Sequence, residues 1–261
     1  MSKIYYQEAA AYSYFAGCSQ GGRHGYEAAQ RYPDAYDGIA AAAPVIKQVD
    51  AASYILWPQI AMYQANVFPR SCEIDSITQY AIEACDAKDG IEDGVIMDPD
   101  VCDPINPLDY VDKPAIKCAD QTSLISDIAA LVVNASWTGL IEDTTGELLY
   151  PGLLPGADLT GYTDGLGIAG TTCYDTGEDC AANPATIAIA TVRVYILKDA
   201  KADPSTVTPE ILFEARRQGS AIIDELDTYN PDLTKFRDKG GKMITFHGLV
   251  SSFMSLCKIH C

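Results

Sequence analysis

Residues 12–44 read YSYFAGCSQGGRHGYEAAQRYPDAYDGIAAAAP, and this stretch decides the fold. A short β-favouring run, Tyr12–Ala16, ends at a glycine and predicts a buried strand. Helix-forming residues follow over Gly22–Arg31 and stop shortly before a proline. The apolar run Gly38–Ala43 then predicts a second strand, again closed by a proline. A strand, a helix and a second strand in this order form a βαβ unit, which favours a parallel sheet and an α/β fold.

The turn between the predicted strand and helix carries a G-x-S-x-G motif from Gly17 to Gly21, with Ser19 at its centre. In a nucleophile elbow the serine occupies a strained turn, and the flanking glycines let the strand and the helix approach closely. The hydroxyl is then exposed at the carboxyl edge of the sheet, and the main-chain amide of Gln20 can stabilise an oxyanion. A purely structural glycine-rich turn is the alternative. The strand-to-helix context favours the nucleophile.

The sequence pattern changes after the βαβ unit. From about residue 49 to 233, helical stretches alternate with loops rich in Gly, Asp, Pro and Thr, and residues 145–183 are especially loop-like. A Gly-Gly turn then leads into a strand within residues 240–248. The simplest architecture is an α/β core, residues 1–48 and 234–261, interrupted by one long insertion, residues 49–233. The helices predicted in the insertion are Ala52–Val67, Ser76–Ala84 and Pro209–Tyr229.

The 261-residue chain is strongly acidic, with 18 Lys and Arg against 36 Asp and Glu and a formal net charge of −18. Such a surface repels phosphate backbones, which argues against nucleic acid as a partner. No apolar run reaches the roughly 18 to 20 residues that a membrane-spanning helix needs, so we predict no membrane partner. Residues 1–8 have neither the apolar core nor the cleavage site of a signal peptide.

Nine cysteines are many for a cytosolic protein, and no Cys-x-x-Cys pair suggests zinc. Their separations suit two disulfides, Cys85–Cys102 and Cys173–Cys180, whereas Cys72 and Cys118 have no obvious partner. Disulfides, together with a glycosylation sequon at Asn134, indicate an oxidising compartment, and we predict a secreted protein. The missing signal peptide conflicts with this prediction. The conflict is resolved if the true N-terminus lies upstream of residue 1.

An acidic cluster of turn-forming residues lies at residues 86–95. Calcium prefers six to eight oxygen ligands, which such a loop can supply. The EF-hand spacing is matched only in part, and on these residues alone a solvated acidic loop is the favoured interpretation and calcium the alternative. In the calcium interpretation the ligands are the carboxylates of Asp86, Asp89 and Asp93 and the main-chain carbonyls of Ile91 and Val95.

Three ordered blocks make the chain resemble the tannase and feruloyl esterase family. The first block is residues 12–44, which contains GCSQGGR, and the second is CDAKDGIEDGVI at residues 85–96. The third begins at Asp232 and includes GGKMITFHG at residues 240–248. The resemblance extends over about residues 5–249. It implies an α/β-hydrolase core, incomplete in this chain, that is split by a large lid domain.

The resemblance also implies a Ser-His-Asp triad, with Ser19 as the nucleophile, that hydrolyses esters of phenolic acids such as ferulate or gallate. It implies that Cys18 bonds to a cysteine directly after the catalytic histidine. The triad acid corresponds to Ser251 here and no Asp follows Asp238, while the pair His260-Cys261 comes earlier than the family's His-Cys pair. We therefore expect the chain by itself to be inactive.

The remaining implications concern calcium, cysteines and histidines. The resemblance implies a structural calcium in the acidic loop, which the Cys85–Cys102 disulfide would close, and it places the usual partner of Cys118 near Leu124. His24 is expected to be a surface residue, and His247 is expected to have a structural role distinct from that of the catalytic histidine. Two alternative functions stay open: a truncated or pseudoenzyme form of the same fold, and a calcium-dependent extracellular binding module.

Overall fold

The computed structural model describes residues 2–119, 122–161, 167–174, 179–218 and 225–248. Contacts within these ranges divide the chain into two compact units. The first unit contains residues 2–48 and 225–248, and the second contains residues 49–218. Residues 225–233, which the sequence analysis places in the insertion, group with the first unit.

The elements of both units follow in chain order. The strands are β1 (Tyr14–Cys18), β2 (Gly38–Ala42), β3 (Leu140–Ile141), β4 (Leu148–Tyr150), β5 (Thr171–Tyr174), β6 (Asp179–Ala182) and β7 (Lys242–Phe246). The helices are α1 (Ser2–Tyr5), α2 (Gln20–Arg31), α3 (Gln48–Ala65), α4 (Ser71–Cys85), α5 (Asp127–Thr138), α6 (Thr186–Thr191), α7 (Pro209–Gln218) and α8 (Thr234–Asp238). Shorter 3-10 turns span Asp86–Asp89, Pro99–Val101, Pro107–Tyr110 and Pro204–Thr206, and a π-helical turn spans Val192–Ile196.

The first unit is built on a parallel sheet with the strand order β1-β2-β7. Ala16 lies opposite Ala40, which in turn lies opposite Ile244. The predicted βαβ unit and the late strand are therefore confirmed, and the chain is an α/β protein. Strand β1 begins two residues later than predicted, because Ser13 bonds to Asp37 instead of joining the ladder. The Ser13 N–H donates to Asp37 Oδ2 (2.8 Å), and the Asp37 N–H donates to the Ser13 carbonyl (2.8 Å).

Helix α2 covers one face of this sheet. Tyr26 and Ala29 of the helix pack with Ile39 and Ala41 of β2 and with Phe236 of α8 in one buried cluster. The strands turn large apolar side chains outward on the other face, where Tyr14, Ile244 and Phe246 are 73%, 69% and 63% exposed. The burial of Tyr26 and Ala29 against the sheet therefore fixes the position of α2, the helix that directly follows Ser19.

Two glycines permit the close approach of α2 to the strands. A Cβ on Gly17 would lie 2.5 Å from the main-chain carbon of Gly21. A Cβ on Gly22 would lie 2.9 Å from the Cα of Pro44 and would also meet the carbonyl oxygen of Ala42. Gly21 differs, because a Cβ there would meet nothing within 4 Å. The close packing that the motif predicts therefore depends on the side chains missing at positions 17 and 22.

We expect Gly22→Ala to destabilise the chain by roughly 1–3 kcal/mol, because main-chain atoms cannot move aside as a flexible side chain can. The matched variant Gly21→Ala should be neutral or stabilising by up to about 1 kcal/mol, since alanine is the better helix former. Urea denaturation of both variants checks this difference. Equal stability of the two variants would contradict the packing described.

The second unit has a hydrophobic core around α3. Tyr54, Leu56, Ile60 and Met62 of this helix are all at most 1% exposed. The Tyr54 hydroxyl donates to the Ser136 carbonyl (2.5 Å), which satisfies a buried polar group. Within the ranges that the structure describes, no helix is long and apolar enough to cross a membrane.

The helices differ from prediction where tertiary contacts intervene. Helix α7 was predicted to continue to Tyr229, but residues 227–233 are not helical. Thr228 bonds elsewhere instead: its N–H donates to the Ile46 carbonyl (2.8 Å) and its carbonyl accepts from Gln30 Nε2 (2.7 Å). Helix α5 was not predicted, although Ser126 is a recognisable N-cap whose hydroxyl accepts from the Ala129 N–H (3.3 Å).

The region predicted to be loop-like, residues 145–183, contains short strands. Strand β4 pairs antiparallel with β3, and β5 pairs antiparallel with β6. These strands have two to four residues each, too few for an alternating pattern to stand out in the sequence.

Among the residues that the structure describes, three disulfides form, all within the second unit. Cys85–Cys102 and Cys173–Cys180 confirm the predicted pairs. Cys72 and Cys118, for which the sequence suggested no obvious partner, bond to each other. Leu124, near which the resemblance places the usual partner of Cys118, forms an isolated antiparallel bridge with Pro114. The fold brings the Cα atoms of Cys72 and Cys118 to 5.0 Å across 46 positions of sequence, a relation that local spacing does not reveal.

Candidate active site

Ser19 lies in the turn between the carboxyl end of β1 and the start of α2. Its φ of 59° and ψ of −116° place a non-glycine residue in a sparsely populated conformation. Two main-chain hydrogen bonds of 3.0 Å hold it there: the Ser19 N–H donates to Ala42, and the Ser19 carbonyl accepts from Arg23. Such strain, of about 1–3 kcal/mol, persists only where the surrounding structure imposes it. The exposed serine at this turn has the backbone geometry of a nucleophile elbow.

Gln20 is the first residue of α2. The first amides of a helix lack partners within the helix and carry its positive dipole end. The Gln20 side chain has two partners: its Oε1 accepts from Arg23 Nε (2.8 Å), and its Nε2 donates to Gln48 Oε1 (2.6 Å). The main-chain N–H of Gln20 is therefore a hydrogen-bond donor directly beside Ser19. The side chain of the same residue is held by hydrogen bonds at both its amide oxygen and its amide nitrogen.

The position that corresponds to the triad acid, Ser251, and the pair His260-Cys261 are outside the described residues. Within the described ranges, the Ser19 hydroxyl makes no hydrogen bond to a histidine, and Cys18 is exposed and not disulfide-bonded.

The two described histidines have different surroundings. His24 is exposed on α2. His247 directly follows β7, its Nδ1 lies 2.9 Å from the Gly248 carbonyl oxygen, and its Nε2 is buried with no partner among the described residues. Among the described residues, neither ring is bonded to the Ser19 hydroxyl.

The acidic loop is organised by its own carboxylates. Gly90 and Gly94 adopt φ values of 99° and 81°, the left-handed conformation that glycine accepts readily. Main-chain N–H groups donate to all three predicted carboxylate ligands. Asp86 accepts from Asp93 (3.2 Å) and Gly94 (2.9 Å), Asp89 accepts from Ile91 (3.2 Å) and Met97 (2.7 Å), and Asp93 accepts from Val95 (3.1 Å).

The donor set of this loop fits calcium in its chemistry but is not gathered into a side-chain site. Among the described residues, no three His, Cys, Asp or Glu side chains are grouped so as to hold a metal ion. A carboxylate oxygen can accept more than one partner, so hydrogen bonds to main-chain N–H groups leave ligand capacity on all three aspartates. Main-chain carbonyls, such as those predicted at Ile91 and Val95, are also ordinary calcium ligands.

The second unit contains a cavity that was not predicted from the sequence. Its volume is about 520 Å³, and Asp75, Asp158 and Lys117 contribute to its lining. Burial raises the pKa of Asp75 to about 6, and a hydrogen bond from the Thr160 hydroxyl (2.6 Å) opposes this shift. These residues are distant in sequence, so no local signal marked them. The contacts of Arg23 and Gln48 with Gln20 were also missed, although an i,i+3 pair such as Gln20 and Arg23 can be read from a helix.

The family model described as tannase and feruloyl esterase matches residues 1–255. A probable feruloyl esterase of Arthroderma benhamiae is 34% identical over 258 residues, which cover 97% of this chain and 45% of that protein. Feruloyl esterase B of Aspergillus niger is 29% identical over 258 residues, covering 98% and 45%. The chain thus spans a little under half the length of these relatives.

Solved structures show the same relationship. The crystal structure of feruloyl esterase B from Aspergillus oryzae has a TM-score of 0.76 at 26% identity and covers 97% of this chain and 47% of that one. The tannin acyl hydrolase of Aspergillus niger has a TM-score of 0.81, also at 26% identity, and covers 98% and 47%.

Proposed function

The chain belongs to the tannase and feruloyl esterase family, and on that premise we propose that the whole protein is a serine carboxylesterase that acts on phenolic acid esters. The observation that supports this proposal most directly is the conformation of Ser19, a strained, exposed serine between a parallel strand and a helix N-terminus. The proposed substrates are small phenolic esters or phenolic esters of the plant cell wall.

In the proposed mechanism the Ser19 oxygen attacks the ester carbonyl while a histidine takes its proton. The main-chain N–H of Gln20 donates to the oxyanion that develops on the carbonyl oxygen. The histidine then protonates the leaving alcohol, and water releases the acid from the acyl-enzyme by the same steps. The histidine and the carboxylate that orients it come from outside the described residues in this proposal.

The arrangement of the chain follows from the same proposal. The described residues 2–48 and 225–248 would form part of an α/β-hydrolase core, and residues 49–218 would belong to its lid domain. The three disulfides support a secreted, extracellular protein, since such bonds persist in oxidising compartments.

A second candidate is an inactive form of the same fold. The position that corresponds to the triad acid is Ser251, and a base without an orienting carboxylate loses much of its rate. A calcium-dependent extracellular binding module is the third candidate, and the acidic loop would be its functional part.

A labelling experiment separates these candidates. We define the chimera as the Arthroderma benhamiae relative in which this chain replaces the matching region. The chimera should hydrolyse methyl ferulate or methyl gallate and react with a fluorophosphonate at Ser19, whereas the 261-residue chain alone should show no robust turnover. A chimera that folds but neither turns over nor labels would support the inactive form. Robust turnover by the chain alone would contradict the expected inactivity.

We also propose a structural calcium ion in the acidic loop, with Asp86, Asp89 and Asp93 and the carbonyls of Ile91 and Val95 as ligands. The left-handed glycines and the oxygen donors support this proposal. Calcium would neutralise carboxylates that otherwise repel one another in an acidic chain.

Saturating calcium should stabilise the folded chain. At a hundredfold excess over Kd, a ligand that binds only the folded state adds about 2.7 kcal/mol, which corresponds to a rise in Tm of about 5 °C or more. Melting curves with EDTA and with added Ca²⁺ measure this rise.

The variant Asp86→Asn should abolish the rise. Glu92→Gln should keep it, because this control removes a negative charge from the same loop without removing a proposed ligand. Identical curves for the wild type with and without calcium would exclude the site.

A further inference from the structure

Gln20 lies within a chain of side-chain hydrogen bonds that runs through the first unit. Arg23 Nη1 donates to the Leu226 carbonyl (2.7 Å), and Arg23 Nε donates to Gln20 Oε1 (2.8 Å). Gln20 Nε2 then donates to Gln48 Oε1 (2.6 Å). The chain of bonds thus connects two residues of one helix, Gln20 and Arg23, with Gln48 and Leu226, which are 28 and 203 positions away from their partners.

From these contacts we propose that Arg23 and Gln48 are positioning residues that hold Gln20, and with it the oxyanion-binding N–H, in place. This inference rests on the proposed function of Ser19 and Gln20. Neither Arg23 nor Gln48 touches the reacting atoms. They act through the Gln20 side chain, which they bind from opposite ends.

Side-chain chemistry explains why a glutamine suits position 20. A glutamine amide is both an acceptor and a donor, so it can accept from Arg23 and donate to Gln48 at once. Glutamate could accept from the guanidinium but could not donate, and methionine could do neither. The bond from the positively charged guanidinium to Gln20 is charge-assisted and therefore stronger than a neutral one.

We call the two hydrogen bonds by which Arg23 and Gln48 hold the Gln20 side chain the clamp. The position of Gln20 at the start of a helix explains why it needs to be held. The first residues of a helix are anchored by fewer intrahelical bonds than its interior, and they fray most readily. Gln20 also follows a strained residue, Ser19, whose φ of 59° must be imposed by its surroundings. An oxyanion donor lowers the barrier only when it is already oriented before the reaction, so mobility at this amide would reduce kcat.

The first test measures order in the 261-residue chain, independently of catalysis. The backbone order parameter of the Gln20 N–H should be about 0.85 in the wild type and fall below about 0.6 in Arg23→Met and Gln48→Met. Gln48→Glu keeps an acceptor for Gln20 Nε2 and should restore the wild-type value. Gln30→Met is the matched control, because it removes a bond from α2 to Thr228 but lies near the opposite end of this helix from Ser19.

The second test measures catalysis in the chimera. Arg23→Met and Gln48→Met should lower kcat roughly 10- to 100-fold with little change in KM, and Gln48→Glu should recover most of this loss. Gln30→Met should leave kcat unchanged.

The two tests separate this inference from the proposed function. Unchanged order at Gln20 in Arg23→Met and Gln48→Met would overturn the clamp whether or not the protein is an esterase. Loss of activity in Ser19→Ala with full kcat in Arg23→Met and Gln48→Met would also overturn it while leaving the proposed function intact. If Ser19→Ala kept its activity, the proposed role of Ser19 as the nucleophile would be wrong. The backbone order parameters of Gln20 would then be the test of whether Arg23 and Gln48 hold this residue in place.

Discussion

Ser19→Ala should lower kcat of the chimera on methyl ferulate or methyl gallate by roughly 10⁴- to 10⁶-fold. Removal of the nucleophile leaves only the rate enhancement from substrate binding and the oxyanion donors. The kcat of serine hydrolases falls by a factor of this order when the nucleophilic serine is removed. The KM should change little, because alanine removes a hydroxyl whose bond to the substrate forms only after binding. Labelling by a fluorophosphonate should disappear in parallel.

The control for this experiment is Ser13→Ala, at the residue directly before β1. Its hydroxyl donates to the Ala35 carbonyl (3.1 Å) and has no proposed role in catalysis. This variant should keep full activity. A Ser19→Ala enzyme that retained its rate would show that another residue is the nucleophile, despite the strained turn at position 19.

Loss of the Cys72–Cys118 disulfide should destabilise the chain by about 4 kcal/mol. The bond closes a loop of 46 positions, and the loss of conformational entropy in the unfolded chain grows with loop length. Cys118 is also buried, with 4% exposure, so the double variant Cys72→Ser, Cys118→Ser places a hydroxyl in the core of the second unit. Urea denaturation of the double variant measures the loss.

The Cys173–Cys180 disulfide provides the matched comparison within the same unit. Its sequence separation is 7, and the same relation predicts a loss of only about 2 to 2.5 kcal/mol when both cysteines become serine. We therefore expect the larger loop to give the larger effect. Equal effects of the two double variants would contradict the loop-entropy explanation.

Local sequence was sufficient to predict the elbow and the elements around it. Tyr14–Cys18, Gln20–Arg31 and Gly38–Ala42 lie within two residues of their predicted bounds, because an apolar run, helix formers and glycines act on adjacent residues. The disulfides Cys85–Cys102 and Cys173–Cys180 were predictable for the same reason, since their loops are short. The backbone strain at Ser19 follows from its place between a strand and a helix.

Only the tertiary structure decided the contacts between distant residues. Nothing near Cys72 marks Cys118 as its partner, and nothing in residues 227–229 shows that Thr228 bonds to Ile46 instead of continuing a helix. The bond between Gln20 and Gln48 is equally invisible in sequence, across 28 positions. Periodicity and propensity describe neighbours along the chain, whereas these pairings depend on which surfaces the folded core brings together. The sequence by itself therefore determined where the candidate nucleophile lies, and the fold determined what holds the residue beside it.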